Sequence, residues 1–282
     1  MLFHPSLRRF FAAATPNGKR SSHKVTATLK EVVGVKNIIA VSSAKGGVGK
    51  SIVALNLAAA LANHSSSPAV GILDADIFGP SLPSLLHLKE TPLVDSQNMM
   101  LPVSVGSLQA MSMGFLVDED APVAWRGPMV MSAFDQLLRK TAWEDVDFLV
   151  LDLPPGTGDI ALSLVQTVPL EGAIIVTTAQ ELAVIDALRG IEMFRQTRIP
   201  VLGAVHNMAL SACPHCGGDL DFFGTQSPSL QDRLQVPILA EIPLHPSVNL
   251  AAQQGTPWVN MPNCPVSVRA AFTHLAEVVI GK

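Results

Sequence analysis

The chain has 282 residues, 48% of them hydrophobic and 15% charged, with a formal net charge of −4. A slightly acidic chain has no general affinity for nucleic acid, and although mean hydropathy is positive at +0.36, no run of about 18 uninterrupted apolar residues is present to span a bilayer. The apolar excess fits a parallel sheet buried on both faces, in one large α/β domain or two small ones; an odd set of three cysteines, Cys213, Cys216 and Cys264, is not a secreted disulfide scaffold.

Residues 1 to about 30 stand apart. They hold Arg8, Arg9, Lys19, Arg20, Lys24 and Lys30 and no acid before Glu31, while Leu2, Phe3, Leu7, Phe10 and Phe11 supply an apolar face opposite Arg8 and Arg9. Basic, serine-bearing and acid-free composition predicts a mitochondrial transit peptide, with residues 31–282 forming the folded domain and the mitochondrial matrix as its destination. The alternative is a basic tail without a targeting role.

The apolar run 37–41 reads as a buried strand and 52–62 as a helix. Between them lies Ser42-Ser43-Ala44-Lys45-Gly46-Gly47-Val48-Gly49-Lys50-Ser51. Strand, glycine loop, helix is the context of a phosphate-binding loop. Backbone N–H groups of Gly46, Gly47, Val48 and Gly49 turn inward, and with the helix N-terminus behind them they form an anion cradle. Lys50 is placed to reach the outer phosphates of ATP, and the Ser51 hydroxyl to ligate Mg²⁺. Ala44 stands where the usual pattern has glycine, and Lys45 follows it. Lys45 to Ser51 therefore resembles the deviant Walker A motif of the family that includes MinD, ParA, the nitrogenase iron protein and the Mrp-type ATPases. In that family the signature lysine, here Lys45, commonly reaches a nucleotide across a dimer interface.

A loop at 65–68 precedes a strand over 69–73, which runs into Asp74-Ala75-Asp76-Ile77-Phe78-Gly79-Pro80-Ser81. Acids just past a strand's carboxyl end sit where open α/β sheets bind ligands. Asp76 is a candidate to hold a Mg²⁺-bound or attacking water, with Asp74 bracing it; the competing reading is a pair of turn-forming or helix-capping aspartates. Short strands are expected at 101–105 and 108–113, a turn at 122–128 and a helix over 129–140. The 124–128 segment carries no chemistry that can be derived, Arg126 facing phosphate or anchoring a loop equally well. Strand 146–151 ends in Asp152, a Walker B pattern whose carboxylate meets Mg²⁺ through water. Leu153-Pro154-Pro155-Gly156-Thr157-Gly158-Asp159 then reads as a loop that rearranges with nucleotide state. Strands at 173–177, 201–206 and 237–241 and helices at 182–196, 228–234, 248–253 and 266–279 continue the alternation, which predicts a doubly wound, mostly parallel sheet.

Cys213-Pro214-His215-Cys216 follows Asn207-Met208. Three readings compete. A redox pair is disfavoured because the motif does not open a helix. Zinc fits one Cys-x-x-Cys knuckle but needs two further ligands, with His215 or His206 as candidates. An iron–sulfur cluster needs four ligands, and one thiol pair per chain completes that set only across a symmetric dimer. Cys264 stands alone.

These motifs in this order, from Val35 onward, resemble the Mrp/Nbp35 group of iron–sulfur carrier ATPases. With the amino-terminal composition, the likeness is greatest to the mitochondrial member that assists complex I assembly. The resemblance implies a homodimer, ATP hydrolysis coupled to conformational change, and transient carriage of a [4Fe–4S] cluster on Cys213 and Cys216. It implies delivery to apoproteins, including complex I subunits, with no nucleic-acid partner and no stable membrane insertion. Lys45, Lys50, Asp76 and Asp152 take the catalytic roles, and Asn207 corresponds to the base-contacting position. His206 departs from a common Glu and Ala179 from a common Pro. Two other classes remain: a ParA/MinD-like positioning ATPase, which needs a membrane-binding tail or basic patch, and a structural zinc protein with a vestigial P-loop.

Overall fold

The computed structural model describes residues 31–88, 91–116, 127–209, 211–212, 216, 218–220 and 229–281. The expected transit segment, Arg126 and Cys213 lie outside the described residues.

Eight strands form one sheet in the order β10-β7-β6-β1-β5-β2-β4-β3. They are β1 (Val35–Ser42), β2 (Val70–Asp74), β3 (Val103–Val105), β4 (Leu108–Ser112), β5 (Val146–Asp152), β6 (Gly172–Thr177), β7 (Val201–Asn207) and β10 (Ile238–Ile242). All pairings are parallel except β3 with β4. A two-residue hairpin, β8 (Ser211–Ala212) with β9 (Asp219–Leu220), carries the thiol segment. The central strands are near-continuous apolar runs: β2 and β6 are buried at every position, as strands covered on both faces must be.

The helices are α1 (Lys50–Ala62), α2 (Leu82–Leu85), α3 (Gly127–Arg139), α4 (Asp159–Thr167), α5 (Glu181–Gln196), α6 (Leu230–Leu234), α7 (Ser247–Gln253) and α8 (Val266–Ile280). One face of the sheet packs under α3, α4, α5 and α6, around Phe134, Leu164 and Phe194. The other packs under α1, α2, α7 and α8, around Leu57, Leu61 and Phe272. α1 is apolar nearly all round because it lies between the sheet and α8, so both sides of it are buried. Within it the buried Asn56 is satisfied by the protein, donating to Ile52 O and accepting from Val259 N–H.

The expected doubly wound architecture is therefore found. Chain direction across the sheet reverses at β1, which has β5 on one side and β6 on the other. That switch point opens a crevice at the carboxyl ends of the strands. Three local readings differ. Residues 113–116 form a 3₁₀ turn and not the end of a strand, because Met113, Phe115 and Leu116 are all buried and alternation fails. α4 and α2 were not anticipated. α4 starts directly at the presumed loop's end, and α2 is too short for periodicity to register; its one signal is Pro83 in the first turn, where its missing N–H costs nothing.

Candidate functional site

The β1–α1 loop has the conformation its glycines permit. Gly47 and Gly49 lie at φ +84° and +83°, a region that side-chain-bearing residues rarely adopt. Gly49 is the left-handed N-cap of α1 and accepts the first helical bond, from Val53 N–H. A Cβ on Gly49 would sit 2.2 Å from the Asn207 side-chain nitrogen, so this glycine is also required by close approach.

Because β1, β5 and β2 are neighbours in register, their carboxyl ends bring the motifs together. Val41 pairs with Asp152, and Asp152 with Asp74. Lys50 Nζ lies 2.5 Å from Asp152 Oδ1 and 3.3 Å from Ser51 Oγ, with both charged side chains buried. Lys50 thus rests on the Walker B carboxylate, a partner that the motif alone did not disclose. Burial pushes Asp152 above the ordinary carboxylate range, and the Lys50 ammonium opposes that push.

Asp74 and Asp76 divide their work. Asp74 is fully buried. Its carboxylate accepts from the backbone N–H groups of Asp76, Ser81 and Leu82 and from Ser112 Oγ, at 2.9–3.1 Å. Burial, and then the nearby Asp152 charge, push it up to about 7; the converging donors act the other way. Asp74 therefore holds the acid loop and the start of α2. Asp76 turns its own loop by accepting from Phe78 and Gly79 N–H through Oδ1, and it also lines the cleft. The bracing and turn-forming readings of this pair are both realised.

The cleft at the loop's mouth has a volume of about 470 Å³ and is walled by Gly46, Gly47, Gly49, Lys50, Ser51 and Asp76. Ser43, Ile52, Pro80, Ser81, Ser84, Leu85 and Pro155 complete the wall. The contribution of α2 was missed in the sequence because that helix was missed. Lys45 is half-buried and does not line this cleft of its own chain; Val48 is buried behind it.

Two hydrogen bonds fasten other motifs to this loop, and a third ties the acid loop to the end of β5. Gly156 N–H donates to Ser43 O at 2.9 Å, and Ala75 N–H to Asp152 O at 2.9 Å. Asn207 Nδ2 donates to Val48 O at 2.8 Å, from the buried end of β7. The Pro-Pro-Gly-Thr-Gly segment is thereby in direct contact with the P-loop. The Ser51 hydroxyl and Asp76 carboxylate of the cleft wall, with Asp152 bonded to Lys50, are all hard oxygen donors and suit Mg²⁺.

The thiol segment leaves the same edge of the sheet, from β7. Cys216 is an exposed free thiol, and the β8–β9 pairing closes the hairpin around it. Cys264 is buried in the core beside α8, as an incidental cysteine is expected to be. His206 Nδ1 lies 3.4 Å from Glu241 on β10. Among the described residues no cluster of three or more His, Cys, Asp or Glu side chains forms a metal site.

A family model described as ParA: NUBPL iron-transfer P-loop NTPase matches residues 34–280. The chain belongs to the NUBPL iron-transfer P-loop NTPase family. This is the family expected from the motifs. The chain is 46% identical over 255 residues to the mouse iron–sulfur cluster transfer protein NUBPL, covering 90% of this chain and 79% of that one. It is 45% identical to an Arabidopsis thaliana mitochondrial iron–sulfur protein required for NADH dehydrogenase, covering 88% and 79%. An iron–sulfur cluster carrier protein of Pseudomonas fragi matches as closely, at 46% identity with 87% and 86% covered. Among solved structures, an Archaeoglobus fulgidus nucleotide-binding protein in complex with ADP superposes with a TM-score of 0.68 at 35% identity, covering 79% of this chain and 88% of that one. In this NUBPL-family chain no described helix is long and apolar enough to cross a membrane.

Proposed function

We propose that this protein is an ATP-dependent iron–sulfur cluster carrier. It binds a [4Fe–4S] cluster transiently between two copies of the chain and delivers it to apoproteins, including subunits of respiratory complex I, in the mitochondrial matrix. The observation that carries this reading is spatial. Lys50, Ser51 and Asp76 line one cleft and Asp152 is bonded to Lys50, and the Cys216 hairpin leaves the same sheet edge from β7, whose last residue is bonded to the P-loop. Relatives named as cluster transfer and carrier proteins support the cargo, and the ADP complex supports the nucleotide. The name of the Arabidopsis relative supports complex I and mitochondria, together with the basic composition of residues 1–30, which we read as a removable transit peptide ahead of the domain 31–282.

Gly46, Gly47, Val48 and Gly49 cradle the ATP phosphates with backbone N–H groups. Incoming phosphates compete with Asp152 for Lys50, so binding nucleotide transfers the ammonium from the carboxylate to the phosphates. Ser51, with Asp152 and Asp76 as neighbouring oxygen donors, would hold Mg²⁺, and the ion would supply charge neutralisation on the outer phosphates. Asp76 orients the attacking water. Lys45, which does not line its own cleft, reaches the partner's nucleotide. Asn207 contacts the base with the part of its amide that Val48 O does not use. Because Gly156 is bonded to Ser43, loss of the terminal phosphate is felt in the 153–159 segment, and through the dimer contact at the thiols.

The cluster is the protein's cargo. Cys213 and Cys216 of each chain supply two thiolates, and two chains supply the four that the cluster needs. Anaerobic loading with iron and sulfide, followed by transfer to an apo-protein with and without Mg-ATP, tests the reading. Four irons per dimer and nucleotide-dependent transfer are expected. Zinc alone, bound without a role for ATP, would select the structural-zinc alternative.

A further inference from the structure

A separate cavity of about 450 Å³ lies at the far end of α1 from the nucleotide cleft. Ala60, in its wall, is ten residues beyond Lys50, about 15 Å along the helix axis. The last turn of α1, the 3₁₀ turn Trp258–Asn260 and the first half of α8 enclose it. Its polar wall is made by Asn63, His64, Asn260, Arg269 and Thr273. Three of these side chains are pinned by a hydrogen bond that leaves a donor over. Arg269 donates through Nε to Val259 O at 3.3 Å and through Nη2 to Met261 O at 3.0 Å, and its Nη1 has no partner among the described residues. Asn63 Nδ2 donates to Asn260 Oδ1 at 2.7 Å, which fixes the Asn260 amide and leaves its Nδ2 to donate elsewhere. Ser66 N–H donates to His64 Nδ1 at 3.2 Å. An amide N–H only donates, so Nδ1 is the acceptor and the neutral ring carries its proton on Nε2. That nitrogen has no partner among the described residues. Among those residues no acidic side chain lines the cavity.

We propose that this cavity binds a phosphomonoester, at a site independent of the nucleotide. None of its residues has a part in ATP binding or in holding the cluster. Donors from three segments far apart in the chain line one space, and a guanidinium takes phosphate oxygens through parallel N–H bonds. The electrostatic balance favours an anion. The carbonyl end of α1 opposes one with about half an elementary charge, but Arg269 brings a full positive charge that no acid in the wall neutralises. Because Arg269, Asn260 and His64 are already held by the protein, a ligand orders little that is free. Volume separates an ester from the free ion. Sites for organic ligands span about 300–1,000 Å³, and a lone phosphate would fill a small part of this one. The apolar wall of Ala60 and Val259 takes the carbon body of the ester. A planar carboxylate offers only two oxygens to donors that come from three segments, so the tetrahedral phosphate is the better match.

The test uses the full-length chain with its P-loop filled by a magnesium-bound, non-hydrolysable ATP analogue, so that added phosphate has no place in the nucleotide cleft. Isothermal titration at fixed ionic strength compares phenyl phosphate, inorganic phosphate and benzoate. Phenyl phosphate is expected to bind once per chain, about tenfold or more tighter than either of the others. The His64 ring resonances should move in the same titration. Asn260→Asp puts a like charge in the wall while keeping the acceptor for Asn63, and His64→Phe removes the Nε2–H donor. Asn260→Asp should weaken phenyl phosphate by about tenfold or more, and His64→Phe by about fivefold or more. Both variants should keep the melting temperature and ATP affinity of wild type. Absence of saturable binding overturns the proposal, as does binding that both variants leave unchanged or that leaves the His64 resonances still. Equal affinity for benzoate overturns the phosphate class, and equal affinity for inorganic phosphate overturns the ester.

Discussion

Lys50→Ala is the most informative single change, because it tests the buried ion pair and the proposed phosphate contact separately. Its ammonium neutralises Asp152 at 2.5 Å in a buried setting. Removing one partner of a buried pair leaves an uncompensated charge and costs about 3–5 kcal/mol. At about 2–4 °C per kcal/mol for a domain of this size, the melting temperature should fall by about 6–20 °C. Asp152 can relieve the cost by taking a proton. Its folded-state value already lies above the ordinary carboxylate value and rises further without the lysine. In that window the folded variant holds more protons than the unfolded chain, so its stability falls as pH rises. The deficit should thus be smaller at pH 5 than at pH 8. Adding Asp152→Asn removes the second charge and should restore most of the stability at both pH values. For nucleotide, losing an ammonium–phosphate bond costs about 1.5–3 kcal/mol, or about 10- to 150-fold in Kd. Denaturant unfolding at the two pH values and isothermal titration with Mg-ATP measure both effects. Unchanged ATP affinity would refute the site assignment. A pH-independent deficit that Asp152→Asn does not relieve would refute the ion-pair reasoning.

Gly49→Ala should abolish nucleotide binding in the same titration, because the new Cβ meets the Asn207 amide at 2.2 Å and φ is +83°; retained micromolar binding would show that the loop relaxes freely. Cys213→Ala and Cys216→Ala should each lose stable cluster while binding ATP normally, whereas Cys264→Ala keeps the cluster. Iron analysis after anaerobic loading decides this, and about four irons per monomer would contradict the bridging arrangement. A fusion of residues 1–30 to a reporter should reach mitochondria, and diffuse cytosolic signal in a matched host would count against it.

Much of the site was legible in the sequence because its parts are local. Glycines at 47 and 49 are needed where φ is positive, a lysine and a serine open a helix, and an aspartate closes each of two apolar runs. Each statement concerns a few consecutive residues, and strand–helix alternation was enough to place them at one edge of a parallel sheet. The thiol pair remains a reading of spacing alone, half of a four-ligand set, because Cys213 lies outside the described residues. Other features depend on residues far apart in the chain and were decided only by the tertiary structure. The pairing of Lys50 with Asp152 spans 102 positions and follows from β1 lying beside β5. Asp74 acts as a loop brace because its buried carboxylate receives donors from Ser81, Leu82 and Ser112, which no spacing rule anticipates. The wall supplied by α2 and the Asn207 anchor on the P-loop arise likewise from packing. Periodicity says which face of a helix is apolar, but only the packed sheet says which apolar residues it leaves uncovered.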